Sequence, residues 1–146
     1  MTTYKSGVAW INAIEKKLKD VDDVVATELL GTLELFTSRV FDSGKNANGV
    51  VYGKSYSPSY KKYRLKRGRR VDRVNLQLEG DMRKDIGSGI KKKGQKTGFG
   101  FDNNFNTKKW EWNEERYGNL SQLTKFETQG LMKRIDKSVT ELLNNA

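Results

Sequence analysis

Four carboxylates stand close together in the middle of the chain: Asp72, Glu79, Asp81 and Asp85. Asp81 and Asp85 are spaced i, i+4, so a helix over them brings both to one face. One or two carboxylates together with substrate phosphates can hold magnesium, which is the chemistry of a nuclease. Such an enzyme also needs a base or nucleophile converging on the metal, and no residue set here does that. The chain has no histidine and no cysteine. This removes the commonest general base and metal ligand, and every thiolate zinc site. A structural role is simpler: Asp81 opens a helix, where the dipole favours an acid, and Asp85 pairs with a neighbouring lysine. Residues 49–55, GVVYGKS, look like a phosphate-binding loop, but three residues separate the glycines where that loop needs four, and Ser57-Pro58 interrupts the chain directly after it. No catalytic, cofactor-binding or metal-binding residue is assigned, and the chain reads as a protein without enzymatic chemistry.

Charge is the stronger feature. The net charge is +10. Residues 1–53 carry 6 basic and 7 acidic groups, and residues 101–146 carry 7 of each. Residues 54–100 carry 15 basic against 4 acidic groups, a net +11. The whole excess therefore sits in one central segment, around Lys61, Lys62, Arg64, Lys66, Arg67, Arg69, Arg70 and Arg73. A segment this biased faces something anionic or a partner surface, because self-repulsion disfavours packing it into its own core. Tyr56, Tyr60 and Tyr63 interleave with these cations. Tyrosines can stack on bases or anchor the segment to the body, so a free basic nucleic-acid-binding protein is the alternative function. Its mark would be a steep salt dependence of binding.

The elements that position these residues are set by periodicity. Ile11, Ile14, Leu18, Val21, Val25, Leu29, Leu33, Phe36 and Val40 recur at three- and four-residue steps, which predicts a long helix over 6–41. Asp20, Asp22 and Asp23 offer a place for a break into two helices. Residues 44–53 form a polar, glycine-containing loop that leads into the basic arm, 44–73 overall. Ser57-Pro58 reads as an N-cap followed by proline at the first helical position, and Gly68 ends that short helix. Val74, Leu76 and Leu78 alternate with polar residues, which predicts a half-buried strand within a strand region of 74–101. Met82 to Ile86 is a helical turn or two. Short strands are expected over 88–93 and 97–101, with Gly94-Gln95 as their hairpin. Helices fill 107–143: one over 107–117 closed by Gly118, and a last one opened by a capping box at Thr124 and Glu127. The fold class is α+β, as a single domain over 1–146. No apolar run is long enough to span a bilayer, and no secretory signal is read at the N-terminus. The expected setting is a cytoplasm, at least initially.

Trp110 and Trp112 lie two residues apart, about 200° around a helix. One is expected in the core and the other exposed as an interface anchor, unless both are core.

In this order, the segments resemble the neck proteins of tailed bacteriophages, the head–tail connector, tail-completion or virion-morphogenesis group. The stretches that carry the resemblance are the long N-terminal helix, then the glycine-containing loop into Ser55-Tyr56-Ser57-Pro58-Ser59-Tyr60 and Lys66-Arg67-Gly68. Val74 through Ile86 comes next, then Lys109 through Gly118 before the last helix. The family's usual threonine before Gly80 is Glu79 here. The resemblance covers about residues 6 to 143. It implies a structural virion component that assembles as a homo-oligomeric ring, sixfold or twelvefold, around the DNA channel. Its partners would be the portal or adaptor ring and the tail-terminator or tail-tube proteins, with passing contact to genomic DNA and none to membrane. Its place would be the virion neck, reached from the host cytoplasm during assembly. On this reading the basic segment, from Lys54 to Arg73, is an arm that docks on an acidic neighbouring subunit or partner ring.

Overall fold

A computed structural model describes residues 7–53, 55–77, 80–87, 89–94 and 96–145; the side chains of Val8 and Trp10 are outside the described set. Lys54, Leu78, Glu79, Ser88 and Gln95, each part of an expected element, also lie outside it. The fold is α+β: a long N-terminal helix, a two-stranded antiparallel sheet and two C-terminal helices, with two shorter helices between.

Helix α1 spans Gly7–Thr37 without a break at Asp20, Asp22 or Asp23. Its 31 residues make it about 46 Å long. It runs into one π-helical turn, Ser38–Asp42, whose last backbone bond is Ser43 N–H to the Ser38 carbonyl at 2.9 Å. Gly44 then turns the chain at φ +63°, and a Cβ here would stand 2.5 Å from the Val74 carbonyl oxygen. Only glycine accepts both the left-handed backbone and that approach. The loop after it is pinned by the Asn46 side chain, which accepts from the backbone of Asn48 and Val50 and donates to the Tyr117 carbonyl.

The core gathers on the C-terminal half of α1. Leu33, Phe36, Val40 and Phe41 are buried with Tyr52, Val74, Met82, Ile86, Trp110 and Leu120. Phe36 packs between Phe99 and Trp110, with ring centroids at 4.9 and 5.9 Å. These tilted aromatic contacts add to the area they bury. Helices α2 (Pro58–Lys66) and α3 (Asp81–Ile86) border this core. Strands β1 (Ile90–Lys93) and β2 (Lys96–Phe99) pair antiparallel, Ile90 opposite Phe99 and Lys93 opposite Lys96, and the hairpin rests on α1. Helix α4 spans Asn104–Tyr117 and begins three residues earlier than its pattern suggests, because the Asn103 side chain caps the Phe105 N–H at 2.8 Å.

Helix α5 (Lys125–Asn144) lies antiparallel along α1: Glu127 meets Arg39, while Arg134 and Ser138 meet Glu28. Its capping box is complete, with the Thr124 hydroxyl accepting from Glu127 N–H at 3.1 Å and the Glu127 carboxylate from Thr124 N–H at 2.8 Å. The same carboxylate accepts from Arg39 Nε at 2.8 Å in a buried ion pair.

One predicted element is corrected. Residues 74–77 are not a strand. Val74 is buried in the core as its alternation implied, but among the described residues no strand lies beside it. Alternation reports which side chains face inward; it does not supply a partner for the backbone. Here side chains of the basic segment take that role.

Candidate interface: the basic segment and its seat

Helix α2 starts where expected. Ser57 Oγ accepts from Tyr60 N–H at 3.4 Å and Pro58 occupies the first turn, where a missing N–H costs nothing. The helix ends at Lys66 with Arg67 as C-cap, and Arg69, Arg70 and Arg73 come next in irregular chain.

Arg64 overturns its assignment to the outward-facing arm. It is 1% exposed, and its guanidinium points into the body. Nε donates to the Arg70 carbonyl at 3.0 Å, and Nη2 donates to Asn75 Oδ1 at 2.8 Å and the Gln77 carbonyl at 3.0 Å. The Tyr56 ring lies 4.5 Å from its centre, and Tyr60 lies at 5.9 Å. A buried cation is costly unless its donors are satisfied. Among the described residues, the planar fork meets that demand with carbonyl oxygens and ring faces and not with a carboxylate. Arg64 thus ties α2, the turn at Arg70 and the 74–77 segment together.

Tyr56 closes the same clasp. Its hydroxyl donates to the Asn75 carbonyl at 2.6 Å and accepts from Asn75 N–H at 2.9 Å, the two bonds a neighbouring strand would have made. Burial pushes the Tyr56 phenol above its ordinary value, and the Asn75 carbonyl and the Arg64 charge offset only part of that. So Tyr56 is an internal anchor. Tyr60 meets Tyr56 edge-on at 5.2 Å and stacks with Tyr63 at 5.9 Å. Tyr63 is exposed at the outer end of this row, with the Arg67 guanidinium 4.5 Å from its ring.

The other cations divide. Lys62, Lys66, Arg67 and Arg70 are exposed; Lys61, Arg69 and Arg73 are half-buried. Arg70 forms a bidentate pair with Asp72 at 2.6 and 2.9 Å, which holds the Asp72 carboxyl below the usual carboxylate range. Arg73 sits 3.7 Å from Asp72 and donates to the Ser43 carbonyl at 3.4 Å. The outward surface of the segment is therefore Lys62, Leu65, Lys66 and Arg67, held by the inward pair Arg64 and Tyr56. Between this segment and α4 lies a cleft of about 620 Å3, reached by Tyr60, Arg64, Lys109, Asn113 and Arg116.

The tryptophans separate as expected for one core and one surface residue. Trp110 is 7% exposed and donates Nε1–H to Ser121 Oγ at 2.9 Å, while Trp112 is 61% exposed. Of the four carboxylates of the nuclease reading, Glu79 lies outside the described residues, and among the described residues no three metal-ligating side chains come together. Asp81 opens α3 and stands 3.9 Å from Lys109. Asp85 accepts from the Asp102 and Asn103 N–H groups at 2.9 and 3.1 Å and from Asn106 Nδ2 at 2.9 Å, so it braces the turn into α4. Burial alone would raise the Asp85 carboxyl, but the Asn106 amide and those two N–H groups hold it below its ordinary value.

Two features had no sequence assignment. The Arg39–Glu127 pair joins residues 88 apart in the chain, a separation that leaves no local pattern. The Arg64 seat left one trace, the four-residue spacing of Tyr60 and Arg64 on one face of α2, with Tyr56 four residues before Tyr60 in the chain leading into it. Among the described residues no helix is long and apolar enough to cross a membrane. No protein family, curated protein or solved structure matches the chain.

Proposed function

We propose that the chain is a structural subunit of a tailed-phage neck, assembling as a ring that joins portal or adaptor to tail around the DNA channel. The observation that carries this reading is the outward presentation of Lys62, Leu65, Lys66 and Arg67 on a helix tied down by the buried Arg64 and the half-buried Tyr56. A segment that only needed charge for loose attraction would gain nothing from burying Arg64 at its base. A fixed, partly apolar basic surface suits a protein partner of set geometry. The exposed Trp112 adds an anchor of the kind enriched at such contacts. The resemblance in segment order points the same way. The ring would use heterologous contacts, one surface of a subunit against a different surface of the next. Electron micrographs of the purified chain, alone and mixed with portal rings, test this. Closed rings, free or seated on the portal, are expected. A chain that forms neither and coats duplex DNA in a salt-reversible way would overturn the reading in favour of a nucleic-acid binder.

A further inference from the structure

Arg64 keeps one donor unpaired. Its Nε and Nη2 are hydrogen-bonded, but Nη1 has no partner among the described residues. No sealed side-chain nitrogen or oxygen among those residues lacks a partner, so Nη1 is the point where this buried guanidinium meets solvent. Arg64 lines the cleft between α2 and α4, and that solvent is the cleft's.

The charge around this donor is one-sided. Lys109 and Arg116 reach the cleft from α4, and Asp81 is the one carboxylate among its described lining residues. Asp81 stands 3.9 Å from Lys109. Arg116 is exposed and makes no ion pair among the described residues; its guanidinium lies 5.5 Å from the Tyr117 ring. The other acids of α4 face elsewhere. Glu114 accepts from the Leu120 and Ser121 N–H groups at 3.0 and 2.8 Å. Glu111 and Glu115 lie roughly 100–160° around the helix from Lys109, Asn113 and Arg116. Helix α2 carries no acid, and Asp85 of α3 is committed to the turn into α4.

The remaining lining tells anions apart. At about 620 Å3 the cleft has the size of a ligand site, about 300–1,000 Å3. Val74, Leu76 and Met82 give it an apolar part. Its tyrosines are not open platforms: Tyr56 packs on Arg64, Tyr60 on Tyr56 and Tyr63, and Tyr117 on Tyr52 at 4.9 Å. Single-stranded nucleic acid binds by stacking bases on free ring faces. A stiff duplex cannot lower a phosphate to a guanidinium set inside a cleft. A side-chain carboxylate on an extended peptide reaches it. Asn113 Nδ2 is taken by the Lys109 carbonyl at 2.6 Å, while Oδ1 has no partner among the described residues and can accept a peptide N–H.

We propose that this cleft binds an acidic peptide segment of a partner protein, a carboxylate entering against Arg64, Lys109 and Arg116 and a neighbouring apolar side chain resting on Leu76 and Met82. Arginine clusters recognise acidic motifs in this way. The site is separate from the outward surface of α2 and stands whether or not the chain forms a ring.

The test is fluorescence anisotropy on the full chain at physiological salt. The probe is a short fluorescein-labelled peptide of alternating Glu and Leu; the comparisons are the same peptide with Gln for Glu, and labelled oligothymidylate. The Glu peptide should bind at least about tenfold more tightly than the Gln peptide. Lys109→Gln with Arg116→Gln should weaken it at least about tenfold, and Lys62→Gln with Lys66→Gln, the same charge change outside the cleft, less than about twofold. Circular dichroism checks each fold, and Arg116→Gln alone, at an exposed residue, keeps the test open if the double variant misfolds. Equal losses from the two pairs would overturn the proposal in favour of general charge attraction. Equal binding of the Gln peptide, or no binding of the Glu peptide, would also overturn it. Oligothymidylate binding in the Glu peptide's place would assign the cleft to nucleic acid.

Discussion

The two halves of α1 carry one pattern and meet two fates. From Leu29 to Phe36 the stripe is sealed by α5, the hairpin and α4; from Ile11 to Leu18 it is open. The residues are equally apolar, so the difference is in the cover and not in the helix. On the reading proposed above, that open stripe is where another molecule binds. The basic segment shows the same division on a smaller scale, with Arg64 turned inward and Lys62 and Lys66 turned out.

The largest effects should fall where the cover is complete. Phe36→Ala should cost about 3–5 kcal/mol in urea unfolding of the monomer, whereas Leu18→Ala should stay within about 0.5 kcal/mol. Equal losses at both sites would break the comparison, since the outer stripe would then be packed within the chain. Next comes the buried pair. Glu127→Ala leaves Arg39 as an uncompensated buried charge and removes a cap, at about 3–5 kcal/mol, while Glu141→Ala, in the exposed Lys137–Glu141 pair, should cost about 0.5 kcal/mol or less.

Arg64→Ala should cost about 2–3 kcal/mol and loosen the backbone at 74–77, read by hydrogen exchange of the Asn75 N–H. Arg64→Lys should not rescue it, because a point charge cannot serve Arg70, Asn75 and Gln77 at once. Lys62→Ala, two residues away on the other side of α2, should leave monomer stability unchanged. If Arg64 and Lys62 behaved alike, the inward and outward division of the segment would fail.

Alkaline pH gives a smaller, graded effect. The Tyr52 phenol is buried with its hydroxyl donating to the Val40 carbonyl at 3.1 Å. Burial pushes its pKa well above the ordinary value of 10.0, against the opposing charge of Arg39. Its raised folded value means the folded state holds the proton after the unfolded state has lost it. That stability is complete below about pH 10 and is lost as pH rises further. Denaturant midpoints tracked from neutral to strongly alkaline pH should fall there, and Tyr52→Phe should flatten the fall. At the acid end Asp85 is held below 3.8, so its contribution is present above that pH and lost as pH drops through the depressed value.

Local features were legible in the sequence. The capping box at Thr124 and Glu127, the Ser57-Pro58 start and the Gly118 stop depend on residues a few positions apart, and their geometry is set by the backbone nearby. The long helix was legible for the same reason. The strand at Val74 was misread because alternation is a statement about burial, while pairing needs a neighbour that no local pattern supplies. Arg64 was misread because a cation inside a cationic run looks like its neighbours; its fate depends on Asn75 and Gln77, which the fold brings to it. Of the candidate interface residues, Arg64, Tyr56 and Trp110 face inward, and Lys62, Lys66, Arg67 and Trp112 face outward. The composition could not separate these groups, since the separation is made by packing.

The central claim is that the uncovered surfaces are completed by further copies of the chain. Light scattering at increasing protein concentration, with and without long duplex DNA, measures this directly. The account predicts a mass that rises to a closed ring without DNA. A chain that stays monomeric at every concentration, coats DNA and releases it in high salt would contradict the account.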